Sequence, residues 1–256
     1  MPAMTEHESF TLVKTLVAAD SGAGKTGALA SLVDAGYNIR VLDFDNGLAP
    51  LRNYVKDKSL LKNVHYITLR DELQLLAGKF SIKKANAFER AMTALDKGGG
   101  EWGDDSIPPL RDWTAKDILV VDTLGLMSRS CLLMVMQLNN AAMKNPELQH
   151  YGQAMENIEK FLGQVTSSAV PCNVIINTHL YRNDDSPKLY PEAIGSKLGP
   201  KVARYFDNFW SISMTGTKRT IKTSKDGLLA LKCAKPLSEE YDISDGYAKI
   251  FQEMLK

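Results

Sequence analysis

Residues 19–26, Ala19-Asp20-Ser21-Gly22-Ala23-Gly24-Lys25-Thr26, carry the reading of the whole chain. They join an apolar run of strand length, residues 11–19 (TLVKTLVAA), to residues 24–35, a segment of helical period closed by Gly36. The spacing is that of a phosphate-binding loop with Ala19 in place of its first glycine. Small residues at this turn let the backbone N–H groups of Asp20, Ser21, Gly22, Ala23 and Gly24 face inward as an anion cradle. Lys25 adds a cation for the β- and γ-phosphates, and the Thr26 hydroxyl a coordination position for Mg²⁺. The competing reading is a Gly-rich turn that only starts a helix; the motif's position between strand and helix disfavours it. Alanine at position 19 is tolerable, because that position needs a small side chain more than a positive φ.

A loop of this kind calls for a carboxylate on a neighbouring strand, to hold the metal. Residues 117–122 (DILVVD) supply it as Asp122, which places Asp122 near Thr26 and the ion. Alone, that aspartate also reads as a cap for the helix that follows. Other runs, at 38–44 (NIRVLDF), 64–69 and 171–177 (PCNVIIN), are continuous and β-branched, as parallel strands covered on both faces are. Helical periods separate them at 82–97, 127–142 and 147–168. The alternation predicts an α/β fold with a mostly parallel sheet and right-handed crossovers. Past Asn183 the pattern changes. Residues 208–214, 217–223 and 228–233 read as short strands turning at Gly216 and Gly227, an antiparallel meander that extends the sheet. Residues 245–256 read as a closing helix. The expectation is one domain over 1–256, with a tail at 1–10, a surface insertion at 98–113 (GGGEWGDDSIPPLRDW) and the antiparallel extension at 208–235.

The 256 residues are 44% hydrophobic and 24% charged, which excludes a disordered, collagen-like or coiled-coil chain. No apolar run reaches membrane-spanning length and no secretory signal is visible, so a cytoplasmic protein with no membrane partner is expected. Cys131, Cys172 and Cys233 lie far apart in apolar surroundings and read as reduced, buried thiols. Lys plus Arg number 31 against 30 Asp plus Glu, a net charge of +1, so any nucleic-acid contact must come from a local patch.

Several further segments resemble RecA-like ATPases. Asp43-Phe44-Asp45-Asn46-Gly47-Leu48-Ala49-Pro50-Leu51 resembles the stretch where a strand delivers an acid before a Gly/Ala-Leu-x-Pro turn, and residues 171–179 resemble the switch strand. Thr178-His179-Leu180 and the GxxLGPKxxRxFD-like residues 195–207 are similar to the compact RecA-like ATPases of phages and prophages, a group that includes single-strand annealing proteins. The resemblance covers about residues 11–235 and implies a RecA-like P-loop core that binds ATP with Mg²⁺ and hydrolyses its β–γ bond. It makes Lys25, Asp45, Asp122 and His179 catalytic residues, with Asp45 orienting water and His179 sensing the γ-phosphate. Asp43 competes with Asp45, because alternate residues of a strand share a face. The family has Glu at the acid position, one methylene longer. Lys232 and Lys235 match the lysines that RecA-like proteins offer to a neighbouring protomer, implying a homo-oligomer in ring or filament form. Their plain alternative is a charged edge strand that blocks aggregation.

The resemblance also implies single-stranded DNA as a partner, in phage-type recombination, annealing or replication in a bacterial host, together with other proteins of that process. Tyr181, Arg182, Lys188 and Tyr190 follow the switch strand where a DNA-contacting loop is expected, and rings beside cations suit single strands. Residues 218–235 hold six basic side chains (Lys218, Arg219, Lys222, Lys225, Lys232, Lys235) and one acid, Asp226, and Lys218, Arg219 and Lys222 complete the nucleic-acid set. Asp184-Asp185 works against phosphate binding there. A second loop, 139–151, offers only Lys144, His150 and Tyr151. The alternative is a nucleotide-gated adaptor that binds a protein partner and no DNA. A small-molecule kinase is disfavoured, since no lid-like arginine cluster follows the core.

Overall fold

The buried runs become strands, and the turns that end them meet at one edge of a sheet. The computed structural model describes residues 11–182, 187–224 and 226–256; the tail at 1–10, Asp184-Asp185 and Lys225 lie outside the described residues. The chain opens with β1 (Lys14–Ala19), α1 (Lys25–Ala28), α2 (Ala30–Asp34), β2 (Asn38–Asp43), α3 (Ala49–Tyr54) and β3 (Val64–Thr68). A hairpin of β4 (Glu72–Leu76) and β5 (Lys79–Lys84) precedes α4 (Ala87–Lys97) and β6 (Asp117–Asp122). Two long helices, α5 (Leu124–Leu138) and α6 (Leu148–Val165), lead to β7 (Asn173–Thr178), then to a small hairpin of β8 (Leu180–Arg182) and β9 (Leu189–Pro191). After α7 (Gly199–Val202) come β10 (Asn208–Thr215), β11 (Lys218–Lys222), β12 (Glu240–Asp242) and α8 (Gly246–Met254).

Eight strands form one sheet in the order β12-β11-β10-β1-β7-β6-β2-β3. From β3 to β10 all neighbours are parallel, while β11 and β12 add antiparallel pairs at one edge. This is the α/β class expected: a P-loop sheet with a C-terminal antiparallel extension. Side-chain alternation explains why the central strands are apolar throughout. On β1, Leu16 and Ala18 pack among α4, α5 and α6, whereas Val17 and Ala19 pack among α1, α2 and α8. The closing helix buries Tyr247, Ile250, Phe251 and Met254, the spacing of one helical face, against that second layer.

Three expectations are corrected. The stretch 82–97 is not one helix: its first residues are taken by β5, and Ala77 (φ 49°) with Gly78 (φ 76°) makes a two-residue hairpin turn. Both positive φ values suit the twist of paired strands, and the tip lacks the Asn-Gly signal that makes such turns legible.

Residues 98–113 are not a surface insertion. Trp102 and Trp113 are buried, meet edge to face with centroids 5.9 Å apart, and sit in the core cluster beside Ile107 and Leu110. Each indole N–H is satisfied, Trp102 Nε1 donating to the Ala94 carbonyl at 3.1 Å and Trp113 Nε1 to that of Pro108 at 2.8 Å. Gly and Pro there shape the path of a buried segment. Gly98 (φ 69°) runs so close to Ile107 that a side chain would strike the Ile107 carbonyl oxygen.

Third, residues 228–233 contribute only a bridge between Lys232 and Phe209, and the outermost strand is β12, drawn from the acidic stretch. The Cys131 and Cys172 thiols are buried, and burial pushes both up to about 12, so neither is poised to react.

Candidate functional site

Parallel strands present their carboxyl ends to one side, and the loops there enclose a cleft of about 1200 Å³. The turn after β1 supplies its floor. Gly22 (φ 76°) and Gly24 (φ 108°) adopt the left-handed region, so these two positions need glycine. Ala19 is not among the positive-φ residues, which accounts for the tolerated substitution. Its carbonyl accepts from Lys25 Nζ at 2.8 Å, and the Asp20 carbonyl does so at 3.1 Å. Burial holds the Lys25 ammonium below the ordinary lysine range, against the raising pull of Asp122, Asp20, Asp45 and Glu192.

Asp122 ends β6, two strands from β1, and its Oδ2 accepts from the Thr26 hydroxyl at 2.7 Å. Burial pushes the Asp122 carboxyl up, opposed by the Thr26 hydroxyl and Lys25. Around it, Thr123 Oγ1 is buried without a hydrogen-bond partner, and the buried Asn177, its register partner on β7, lies against the Asp122 carboxyl and helps hold its pKa down. A buried polar atom like that of Thr123 fits a hydrated divalent ion and an attacking water, which would satisfy it. Among the described residues no group of three or more His, Cys, Asp or Glu could hold a metal. The Thr26 hydroxyl beside the Asp122 carboxylate suits Mg²⁺, which takes one or two protein oxygens and fills its shell with phosphate and water.

Hydrogen bonds distinguish the surroundings of Asp43 from those of Asp45. Asp43 is buried, and its Oδ1 accepts from the backbone N–H groups of Asp45, Asn46 and Gly47 at 3.2, 2.7 and 3.4 Å. That carboxylate shapes the turn, while Asp45 is exposed and lines the cleft. His179, just past β7, brings Nδ1 to 3.4 Å from Lys25 Nζ.

The remaining residues divide. Tyr181 and Tyr190 face each other across the β8–β9 hairpin, with Arg182 opposite Leu189 and Lys188 just before β9. Lys218 and Lys222 lie on alternate positions of β11, and Lys222 Nζ is 3.9 Å from Glu240. Arg219 is turned the other way: it shares the face of buried Ile221 and lines the cleft beside Gly24. The structure thus separates it from the lysines with which the charge run grouped it. Lys232 pairs with Phe209, the register partner of Leu16, so Lys232 and Lys235 lie toward the amino end of β1, away from the end that carries the phosphate loop. In the 139–151 loop, His150 is buried and its Nδ1 accepts from the Glu147 N–H, capping α6.

Sequence reasoning missed three groups in or next to the cleft. Tyr54, 62% exposed, lies against Gly27. Asn177 carries no sequence signal beyond its place at a strand end. Glu192 is tied to the site by its N–H, which donates to the His179 carbonyl at 2.8 Å.

A phosphate loop after the first strand, a carboxylate two strands away on the loop's hydroxyl, and an imidazole beside the loop's lysine form the site of a P-loop ATPase that uses ATP with Mg²⁺. The chain belongs to the AAA domain family, whose model matches residues 11–230. No curated protein matches the sequence. Among solved structures it is similar to one titled a prototypical ATPase from the type III secretion system of pathogenic bacteria, with 14% identity and a TM-score of 0.46. That match covers 78% of this chain and 52% of the other, so the chain spans about half the length of that ATPase. Among the described residues no helix is long and apolar enough to cross a membrane.

Proposed function

We propose that this chain is a RecA-like ATPase of the phage and prophage type that works as a homo-oligomer on single-stranded DNA, in recombination, annealing or replication in a bacterial host. The observation that carries the reading is the β8–β9 hairpin. It starts one residue after His179 and holds Tyr181 opposite Tyr190, so two rings and Arg182 are tied to the group beside Lys25. Bases stack on such rings whatever their identity, and the cation meets phosphate.

In the same reading Lys25 exchanges its two carbonyl partners for the β- and γ-phosphates, and the N–H groups of residues 20–24 cradle them. Thr26 and Asp122 hold Mg²⁺, which on binding withdraws charge from the phosphoryl oxygens. Asp45 orients the water, and His179 relates the γ-phosphate to the hairpin. Tyr54 offers its exposed ring to the base. Lys232 and Lys235, set toward the amino end of β1, serve a neighbour's site.

The test is ATP turnover with and without an oligo-dT strand, over a salt series. Turnover is expected to rise with the strand and the rise to fade as salt increases. Turnover indifferent to DNA, with no salt-sensitive binding, would remove DNA from the proposal. Mg-ATP-driven assembly without that stimulation would favour a nucleotide-gated adaptor. One observation leans that way: the β4–β5 hairpin exposes Leu75 (63%) and Phe80 (78%), register partners on one face.

A further inference from the structure

We propose that Arg219 is a phosphate ligand of the nucleotide bound in its own chain, a role that rests on the nucleotide site described above. Strand alternation sends Lys218 and Lys222 to one face of β11 and Arg219 to the other, where Ile221 is buried. The antiparallel register sets Thr220 against Asp242, and that brings Arg219 beside Ile243. Both reach the phosphate loop: a Cβ on Gly24 would lie 2.7 Å from Ile243 Cδ1, 3.5 Å from Arg219 Cδ and 4.0 Å from its Nε. The bareness of Gly24 is thus what lets the guanidinium stem come up to the loop backbone.

The guanidinium lacks a partner. Its Nε is shielded from solvent without a hydrogen-bond acceptor, and among the described residues no carboxylate lies within ion-pair distance. Of the other carboxylates lining the cleft, Asp45 follows β2, five strands from β11, and the rest are engaged. Asp245 bonds Lys249 at 2.9 Å, Asp34 accepts from the Lys56 N–H at 3.0 Å, and Asp122 holds Thr26. A partly desolvated cation with no carboxylate beside it is costly, and an anion supplied from outside lowers that cost. Arginine presents a planar fork that meets phosphate oxygens two at a time.

The wall that carries Arg219 is fastened to the loop's own helix. Tyr247, fully buried, donates its hydroxyl to the Lys25 carbonyl at 3.3 Å, and the Ala248 N–H donates to Ser31 Oγ at 3.1 Å. Much of that wall, β12 and α8, lies beyond the residues the family model matches. The extension is therefore one side of the nucleotide site as well as an edge of the sheet.

The experiment is equilibrium binding of AMP, ADP and ATP with Mg²⁺ to the parent, Arg219→Gln and Arg219→Lys, with a melting curve for each. Lys160→Gln, a charge removed from the outer surface of α6, is the control. A charge-assisted contact of about 1.5–3 kcal/mol corresponds to a loss of roughly 10–100-fold. Arg219→Gln is expected to lose that much for ADP or ATP and to keep little of the gain from AMP to ATP. Arg219→Lys should fold and recover only part of the loss. Parental ADP and ATP affinity in both variants would overturn the assignment, as would an equal loss for all three nucleotides with a lowered melting temperature. A parent that binds no Mg-ATP would instead overturn the nucleotide site itself.

Discussion

Asp122 shows how a binding group is held at the expense of the empty fold. Burial raises its carboxyl, so the ionised form is disfavoured in the folded chain relative to the unfolded one. A raised carboxylate is without cost at pH values below its unfolded pKa. The cost grows as pH rises above the unfolded value and levels off only above the folded one. Asp122→Asn removes the charge and keeps an acceptor for the Thr26 hydroxyl. The nucleotide-free variant is therefore expected to melt at or above the parent at pH 7, and to lose the stabilisation that Mg-ATP gives the parent. Melting curves with and without Mg-ATP check this, and a nucleotide-free variant that melts well below the parent contradicts it. Lys25 follows the same logic with opposite charge, since burial lowers its pKa and two carbonyls hold the ammonium in place.

At the scale of the element, the segment from Gly98 to Trp113 changes meaning once it is seen folded. Its glycines and prolines read locally as a connector, yet its two indoles and Ile107 close one end of the core over α4 and β6. Truncating an exposed insertion residue would cost less than about 0.5 kcal/mol. Truncating a buried tryptophan costs about 3–5 kcal/mol, at roughly 2–4 °C each for a chain of this size. Trp102→Ala is therefore expected to lower the melting temperature by about 6–20 °C while folded protein still binds Mg-ATP. A shift of a degree or less in a thermal scan would restore the surface reading. The β10–β11–β12 edge carries the complementary lesson: a charge run is a property of sequence, but a strand divides it between two faces.

For the whole molecule the question is what one chain leaves undone. Lys232 bridges Phe209, the register partner of Leu16, and Lys235 lies further along the chain, so both stand toward the amino end of β1 rather than at residues 19–26. If a neighbour uses them, Lys235→Ala binds Mg-ATP like the parent and turns it over about 10³-fold more slowly or worse. Mixing makes the test stricter. Lys25→Ala chains cannot hold nucleotide but still offer Lys235, so combining the two inactive variants should restore part of the turnover. Parental turnover by assembled Lys235→Ala, or no recovery on mixing, argues that the lysines only guard an edge.

From sequence by itself came the α/β class, the phosphate loop, and the pairing of Thr26 with Asp122, because each is carried by residues close in the chain or by an apolar period that repeats. His179, one residue past β7, entered only through the resemblance, and its place beside Lys25 is a matter of the fold. What tertiary structure alone decided was the tying of Asp43 into its own turn while Asp45 stays exposed at the cleft, the burial of Trp102 and Trp113, and the turning of Arg219 toward Gly24. These depend on which groups already hold a hydrogen-bond partner and on contacts between residues nearly two hundred positions apart. Neither quantity exists until the chain has packed.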